Sequence, residues 1–211
     1  MSESGREDRN GPLLLLRWAR EGLIVIVGAT LIAFLLKVLV AQAFFIPSAS
    51  MTPQLEVADR VLVSKISYRL HEPRRGDIVV FDCPPVECGD DDPGGSSGVG
   101  GILRSFGEGV GVIQPSTQEF IKRVVALPGE TVEAREGSVF VNGKRLIEPY
   151  LPPGTLTANL TPTAVPPGEL YVMGDNRGNS SDSRVFGPVA RSSVVGRAVL
   201  KLWPPARASY L

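Results

Sequence analysis

From Gly22 to Ile46 the chain is one almost uninterrupted apolar run, GLIVIVGATLIAFLLKVLVAQAFFI, longer than the roughly 20 residues a helix needs to cross a bilayer. The pattern predicts a single transmembrane helix over 22–46. Lys37 interrupts the run toward its far end, where a lysine stem can carry its ammonium to the interface. Arg6, Arg9, Arg17 and Arg20 precede the run, whereas the stretch just after it offers only Arg60. That bias places the N-terminus in the cytoplasm and everything from Pro47 onward outside. The expected organisation is therefore a cytoplasmic tail at 1–21, an anchor at 22–46 and an extracytoplasmic domain at 47–211. A cleaved secretory leader is the competing reading, because Ala41-Gln42-Ala43 spells a small-x-small cleavage site. The run exceeds the roughly 7–15 apolar residues of such leaders, so the anchor is expected to stay.

Past Pro47 the period changes. Arg60–Ile66, Asp77–Phe81, Glu119–Val125, Ser138–Val141 and Glu169–Met173 are short β-branched or alternating runs bounded by turn residues, the signature of strands. Asn142-Gly143, between Ser138–Val141 and Lys144–Ile147, predicts a two-residue hairpin. No second apolar segment reaches spanning length, since the C-terminal KLWPPARASYL is short and broken by proline. The expected fold class is mainly β, an antiparallel ectodomain with one N-terminal transmembrane helix. Between Asp82 and Thr117 the chain turns Gly-, Pro-, Ser- and Asp-rich, and 82–117 is expected to be a flexible insertion joining two β halves.

Charge narrows the partners. With Lys+Arg 22 against Asp+Glu 22 over 211 residues, nothing favours nucleic acid, and none is expected as a partner. The acidic triplet Asp90–Asp92 lacks the spaced oxygen ligands of a calcium loop, so no metal or other cofactor is expected. Cys83 and Cys88 flank Pro-Pro-Val-Glu on the oxidising side of the membrane and favour a small disulfide. A zinc site would need further ligands nearby.

The candidate chemistry begins with Ser50, in FFIPSASMTP just beyond the apolar run. A Ser-His-Asp site needs a histidine to take the serine proton, and the sole histidine, His71, sits in the turn-rich segment HEPRRG. Lysine is the chemical alternative as a base, and Lys122, in FIKRVVALPGE, is the plausible one. In an extended strand Phe120, Lys122, Val124 and Ala126 share a face, so the amine stands among apolar neighbours. It must fall from about 10.4 by roughly 2–3 units to serve as a base, on the order of 3–4 kcal/mol of desolvation. A solvated lysine head on a buried stem is the alternative at this point. A third segment, MGDNRGNSSDSR from Met173 to Arg184, is a polar turn-rich loop that can orient a neutral amine and brace its surroundings.

PSASMTP, then RRGDIVVF from Arg74, then IKRVVALPGE from Ile121, then GDNR from Gly174 through Ser183-Arg184 occur in one order. The chain thereby resembles the bacterial type I signal peptidases, or leader peptidases, the serine-lysine dyad family S26, from the anchor to the C-terminus apart from the insertion. The resemblance implies a membrane-bound serine endopeptidase that removes signal peptides from secretory preproteins after an Ala-x-Ala site. It implies Ser50 as nucleophile, Lys122 as general base, Ser48 and the Ser50 N–H as oxyanion donors, and Ser180 as the hydroxyl that orients the lysine. Arg123, Asp175, Asp182 and Arg184 match bracing positions. Phe44, Ile46, Met51, Leu55, Phe120 and Ile121 match the apolar substrate pocket. Its partners would be preproteins, the lipid bilayer and the protein-export translocon, and its place the plasma membrane, single-pass, N-terminus inside. Ala49 and Ala126 stand where the family's commonest forms have glycine, and a positive φ at Ala49 would be costly. A membrane-tethered β module that binds Ala-x-Ala segments without cutting them is the alternative from another class. A self-cleaving repressor would need a helix-turn-helix where this chain has its apolar run. The Ala41-Gln42-Ala43 spelling also raises self-cleavage after Ala43.

Overall fold

The computed structural model describes residues 11–84, 87 and 119–211. The chain divides after Leu39 into two units. The first is a helix, α1, Gly11–Val40, 30 residues long, of which side chains are described at Arg17, Trp18 and from Arg20 to Ile32. Among the described residues no helix is long and apolar enough to cross a membrane. Leu23 to Val27, Leu31 and Ile32 all carry exposed apolar side chains.

The second unit is β-rich, as the alternating pattern requires. Its strands are β1 Ala41–Phe45, β2 Arg60–Ser64, β3 Ile78–Asp82, β4 Glu119–Ala126, β5 Thr131–Arg135, β6 Ser138–Val141, β7 Lys144–Arg145, β8 Leu160–Ala164, β9 Glu169–Met173, β10 Val189–Ala190, β11 Val194–Trp203 and β12 Ser209–Tyr210. Two four-residue helices, α2 Ser67–Leu70 and α3 Ser183–Phe186, lie between them. The larger sheet runs β1-β2-β11-β3-β4-β9-β10 with β12 added on β11, and the smaller runs β7-β6-β5-β8. Each pairing among these strands is antiparallel.

The last residues of the apolar run, expected to finish a helix at Ile46, instead form β1, in register with β2 from Ala41 opposite Ser64 to Phe45 opposite Arg60. Phe44 and Ile46 are buried while Ala43 and Phe45 are exposed, the two-residue period of a half-covered strand. In an all-apolar run that alternation cannot be seen. The Ala43–Phe44 bond thus lies inside a paired strand.

Strand β3 is covered on both faces. Ile78 and Val80 join one cluster with Phe44, Ile46, Met51, Leu55, Val61 and Val63, and Val79 and Phe81 join another with Val124, Leu170 and Val172. A third cluster, including Val125, Ala126, Val132, Tyr171 and Met173, joins the two sheets. The register of β4 on β9 shifts between Val124 and Ala126. The shared face expected for Phe120, Lys122, Val124 and Ala126 therefore ends at Val124, because an extra residue in one strand sends the next side chain to the other side. The predicted hairpin forms as read: β6 pairs with β7, and Asn142 and Gly143 sit at φ 51° and 73°, the left-handed pair a type I′ turn demands.

Ala49 is not among the residues with positive φ, which the described chain places instead at Ala58, Glu136 and Asn142 outside glycine. The alanine beside Ser50 is thus free of that strain. Ala126 is fully buried in the inter-sheet cluster. Cys83 is disulfide-bonded. Cys88, the acidic triplet and nearly all of the expected insertion lie outside the described residues.

Candidate active site

Three segments far apart in sequence meet around Ser50. The chain leaves β1, buries Ile46, and turns through a short 3-10 segment, Ala49–Met51. Met51 and Leu55 are fully buried behind that turn. The turn is closed locally, with the Thr52 N–H and hydroxyl both donating to the Ala49 carbonyl at 3.2 and 2.9 Å. Apolar anchors on both sides thus fix a polar turn, and Ser50 is presented with only 8% of its surface exposed.

Strand β4 delivers the candidate base. Val79 of β3 stands opposite Lys122, whose side chain is 4% exposed and whose Nζ lies 3.0 Å from Ser50 Oγ. Nζ also donates to the Ile121 carbonyl at 2.9 Å, and the Phe120 ring centroid is 5.2 Å from it. Burial pushes the amine down from 10.5 to about 8, against the fields of Asp182 and Glu87 that favour its charged form. A lysine so placed is substantially neutral at mildly alkaline pH and can take a hydroxyl proton. The Ser48 hydroxyl donates to Ser50 Oγ at 3.2 Å.

The loop after β9 is the third segment. The Asn176 N–H donates to the Ser50 carbonyl at 3.0 Å, and its side-chain amide donates to the Ala49 carbonyl at 3.1 Å and to Thr52 Oγ1 at 3.0 Å. Gly174 packs so closely that a Cβ there would lie 2.2 Å from Ser180 Oγ and 2.4 Å from the Ser50 carbonyl oxygen. Only glycine lets the loop approach. Arg123 and Asp175 form a two-pronged buried pair at 2.8 and 2.6 Å. Arg123 also donates to the Gly76 carbonyl at 2.8 Å and stacks 4.0 Å from the Tyr150 ring centroid. Asp182 accepts from Arg184 at 2.8 and 2.7 Å and from the Gly174 N–H at 2.9 Å. Burial alone would raise the Asp182 carboxyl, but the Arg184 and Gly174 bonds outweigh it and hold it below the usual carboxylate value.

The expected site residues fall into place unevenly. Ser48, Ser50 and Lys122 come together, and Arg123–Asp175 and Asp182–Arg184 form ion pairs. The Ser180 hydroxyl is buried beside Gly174 and does not bond Lys122; it lies close enough to Asp182 to help hold that carboxylate charged, while the second bond of Lys122 goes to its own neighbour's carbonyl. Of the six apolar residues expected to line a pocket, Phe44, Ile46, Met51, Leu55 and Ile121 share one buried cluster. Phe120 departs from them because alternation along β4 turns it to the opposite side, against Phe81 and Phe186 at ring separations of 6.1 Å each. His71 caps α2 and meets Tyr68 edge to face.

Three contributors were missed. Arg177 is buried, bonded to Glu148 and to Thr157 Oγ1, the latter at 2.9 Å, and it donates to the Gly174 carbonyl at 3.2 Å. Asn176 and Arg177 stood in the GDNR motif, which was the available signal; Glu148, a lone carboxylate in the apolar, proline-rich stretch LIEPYLPP after β7, gave none. Asn176→Ala removes the two side-chain bonds to the Ser50 turn while leaving the backbone one. It is expected to lower kcat by about 10- to 100-fold with KM little changed, and to cost about 1–2 kcal/mol of stability. Steady-state kinetics and a urea melt read both numbers, and a wild-type kcat would show that the turn holds itself.

Residues 16–203 match the family described as signal peptidase, peptidase S26. The chain is 38% identical over 193 residues to probable signal peptidase I-1 of Synechocystis sp., covering 90% of this chain and 86% of that protein. It is 42% identical over 190 residues to signal peptidase I of Leptolyngbya laminosa, covering 89% and 81%. It is 35% identical over 226 residues to signal peptidase I of Mycobacterium tuberculosis, covering 89% and 74%.

Proposed function

Because the chain belongs to the signal peptidase family, peptidase S26, and is therefore a serine endopeptidase that removes signal peptides from secreted preproteins, we propose that Ser50 is its nucleophile and Lys122 its general base. The observation that carries this reading is the 3.0 Å approach of a desolvated amine to the Ser50 hydroxyl. The neutral amine takes the hydroxyl proton as Ser50 Oγ attacks the scissile carbonyl carbon. The oxyanion receives the Ser50 N–H and the Ser48 hydroxyl, which swings from Oγ. Collapse breaks the peptide bond, and Lys122 returns its proton to the departing amine of the mature protein. Water, deprotonated by the same amine, then attacks the acyl-enzyme; the ester bond breaks, Lys122 returns the proton to Ser50 Oγ, and the signal peptide leaves with a free carboxylate. Asp182, Arg184, Arg123 and Asp175 keep the loop after β9 against the Ser50 turn, and Ser180, buried beside Gly174 in that loop, is the hydroxyl assigned to orient the amine.

The substrate segment binds extended along the strand edges, where backbone hydrogen bonds are indifferent to sequence and alternate pockets select small side chains. Ile121 and Phe44, buried in one cluster beside the Ser50 turn, bound the P1 subsite, and an Ala-x-Ala preference is the selectivity expected of it. The part of the apolar run that lies in α1, up to Val40, anchors the enzyme, with N-terminus cytoplasmic and domain outside. The exposed apolar side chains of Leu23 to Val27, Leu31 and Ile32 support that anchor. An anchor that ends at Val40, one short strand before the Ser50 turn, keeps the chemistry at the plasma membrane surface, where preproteins emerge from the export translocon.

The test is to incubate the detergent-purified protein, and separately its Ser50→Ala variant, with a preprotein bearing an Ala-x-Ala site and to weigh the products. A cut after the last alanine, absent with the variant, is expected. Equal cleavage by both proteins would remove Ser50 from the mechanism.

A further inference from the structure

Two carboxylates act on the Lys122 amine, and they differ in how they are compensated. Asp182 is neutralised in place by Arg184 through two charge-assisted bonds of 2.8 and 2.7 Å. Glu87 is not: among the described residues its carboxylate pairs with no cation, and its contact is the Ser181 hydroxyl, which donates to Oε1 at 2.6 Å. Its N–H is tied to the Pro84 carbonyl at 2.9 Å. Ser181 stands between Ser180 and Asp182, in the loop that also carries Gly174 and Asn176 against the Ser50 turn. The short hydroxyl bond therefore ties an anion from the β3 exit to the catalytic loop. Arg123, the neighbour of Lys122 on β4, is consumed by Asp175, so it adds no free charge to offset Glu87.

We propose that Glu87 is a positioning residue for the catalytic amine: docked on the active-site loop through Ser181, its carboxylate is a counter-charge to protonated Lys122 that has no cation of its own, and it shifts the pH range over which the enzyme turns over. The inference rests on the Ser50–Lys122 reading. Physically, a carboxylate near an amine favours the ammonium, which opposes the apolar burial that makes Lys122 a base. Because Glu87 is exposed, its influence is weakened by salt, whereas the burial of the amine is not. The working range is thus expected to move with ionic strength through Glu87 and to lose that dependence without it.

The test uses the full chain in detergent and reads two quantities, the midpoint of the ascending limb of kcat/KM against pH and the titration of the Lys122 ε-carbon by NMR. Neither midpoint depends on how much of a preparation is active, so a merely structural defect leaves both in place. Glu87→Gln is expected to move both midpoints about half a pH unit toward acid at low salt, and Glu87→Asp to restore most of the difference. Ser181→Ala, which keeps the charge but releases it from the loop, is expected to give a smaller shift in the same direction. At about 0.5 M salt wild type and Glu87→Gln should converge. Midpoints of Glu87→Gln within about 0.1 unit of wild type at low salt would overturn the proposal. If the limb is missing from wild type, the dyad reading has failed, and the NMR titration still decides whether Glu87 acts on Lys122.

Discussion

Lys122→Met is expected to abolish signal-peptide cleavage, lowering kcat by about 1,000-fold or more, and at the same time to raise folding stability by about 3 kcal/mol near neutral pH. Both effects come from one fact. The amine is buried with 4% of the residue exposed, and burial carries its pKa from 10.5 to about 8. In the unfolded chain the group keeps its proton up to the higher value, so at every pH below about 8 folding must strip water from a cation. That cost is present in full below the folded value, declines as pH rises through the interval between the two, and is gone above the unfolded value. A linear thioether of similar length fills the same space without charge, so the variant gains most at neutral pH and nothing above about pH 10.5. Urea melts of both proteins at neutral and strongly alkaline pH measure the gain. A variant that is less stable than wild type at neutral pH, or one that still cleaves, would mean that the amine is solvated and not the base.

Asp175→Ala is expected to cost about 3–5 kcal/mol of stability, the largest loss of any single change near the site. Asp175 and Arg123 are buried together, with side-chain exposures of 0% and 7%, and their two parallel bonds are the fork-to-carboxylate geometry in which ion pairs are strongest. Removing the carboxylate leaves the guanidinium buried with only the Gly76 carbonyl and the Tyr150 face as partners. That uncompensated charge, more than the lost attraction, dominates the effect. Replacing both members by apolar residues of similar volume, Arg123→Met with Asp175→Leu, should recover most of the stability. Activity is not expected to return with it, since Asp175 sits between Gly174 and Asn176, and the loop that braces Ser50 loses its tether. Chemical denaturation of the single and double variants separates charge burial from loss of contact. A single variant within about 1 kcal/mol of wild type would show that water reaches the pair.

Much of this was legible in the chain, for reasons that can be traced to particular residues. Strands β2, β3, β4, β6 and β9 announced themselves through β-branched runs between turns, and Asn142-Gly143 fixed its hairpin. Strand β11, which lies between β2 and β3, was not read, because Arg197 and Lys201 interrupt its apolar pattern. Both are used by the fold: Lys201 Nζ donates to the Gln54 carbonyl at 2.9 Å and Arg197 pairs with Asp77 at 3.2 Å. Strand β1 was hidden for the opposite reason, its alternation lost in uniform apolarity. In the candidate site, the residues proposed for the chemistry stood in recognisable segments. The links between segments did not: the Asn176 amide reaches back 127 positions to the Ala49 carbonyl, and nothing local to an asparagine in a polar loop reveals such a partner. The bulge that diverts Ala126 and the turn of Phe120 away from the Ile121 cluster are likewise properties of strand pairing, not of either strand alone.

The most direct test of the account is the pH dependence of kcat/KM on a preprotein substrate, followed from mildly acidic to strongly alkaline conditions. A neutral Lys122 acting as base requires activity to rise with pH through a single ionisation near 8. A profile that is flat through that region, or that rises only toward the ordinary lysine range, would contradict the claim that burial makes Lys122 the base for Ser50.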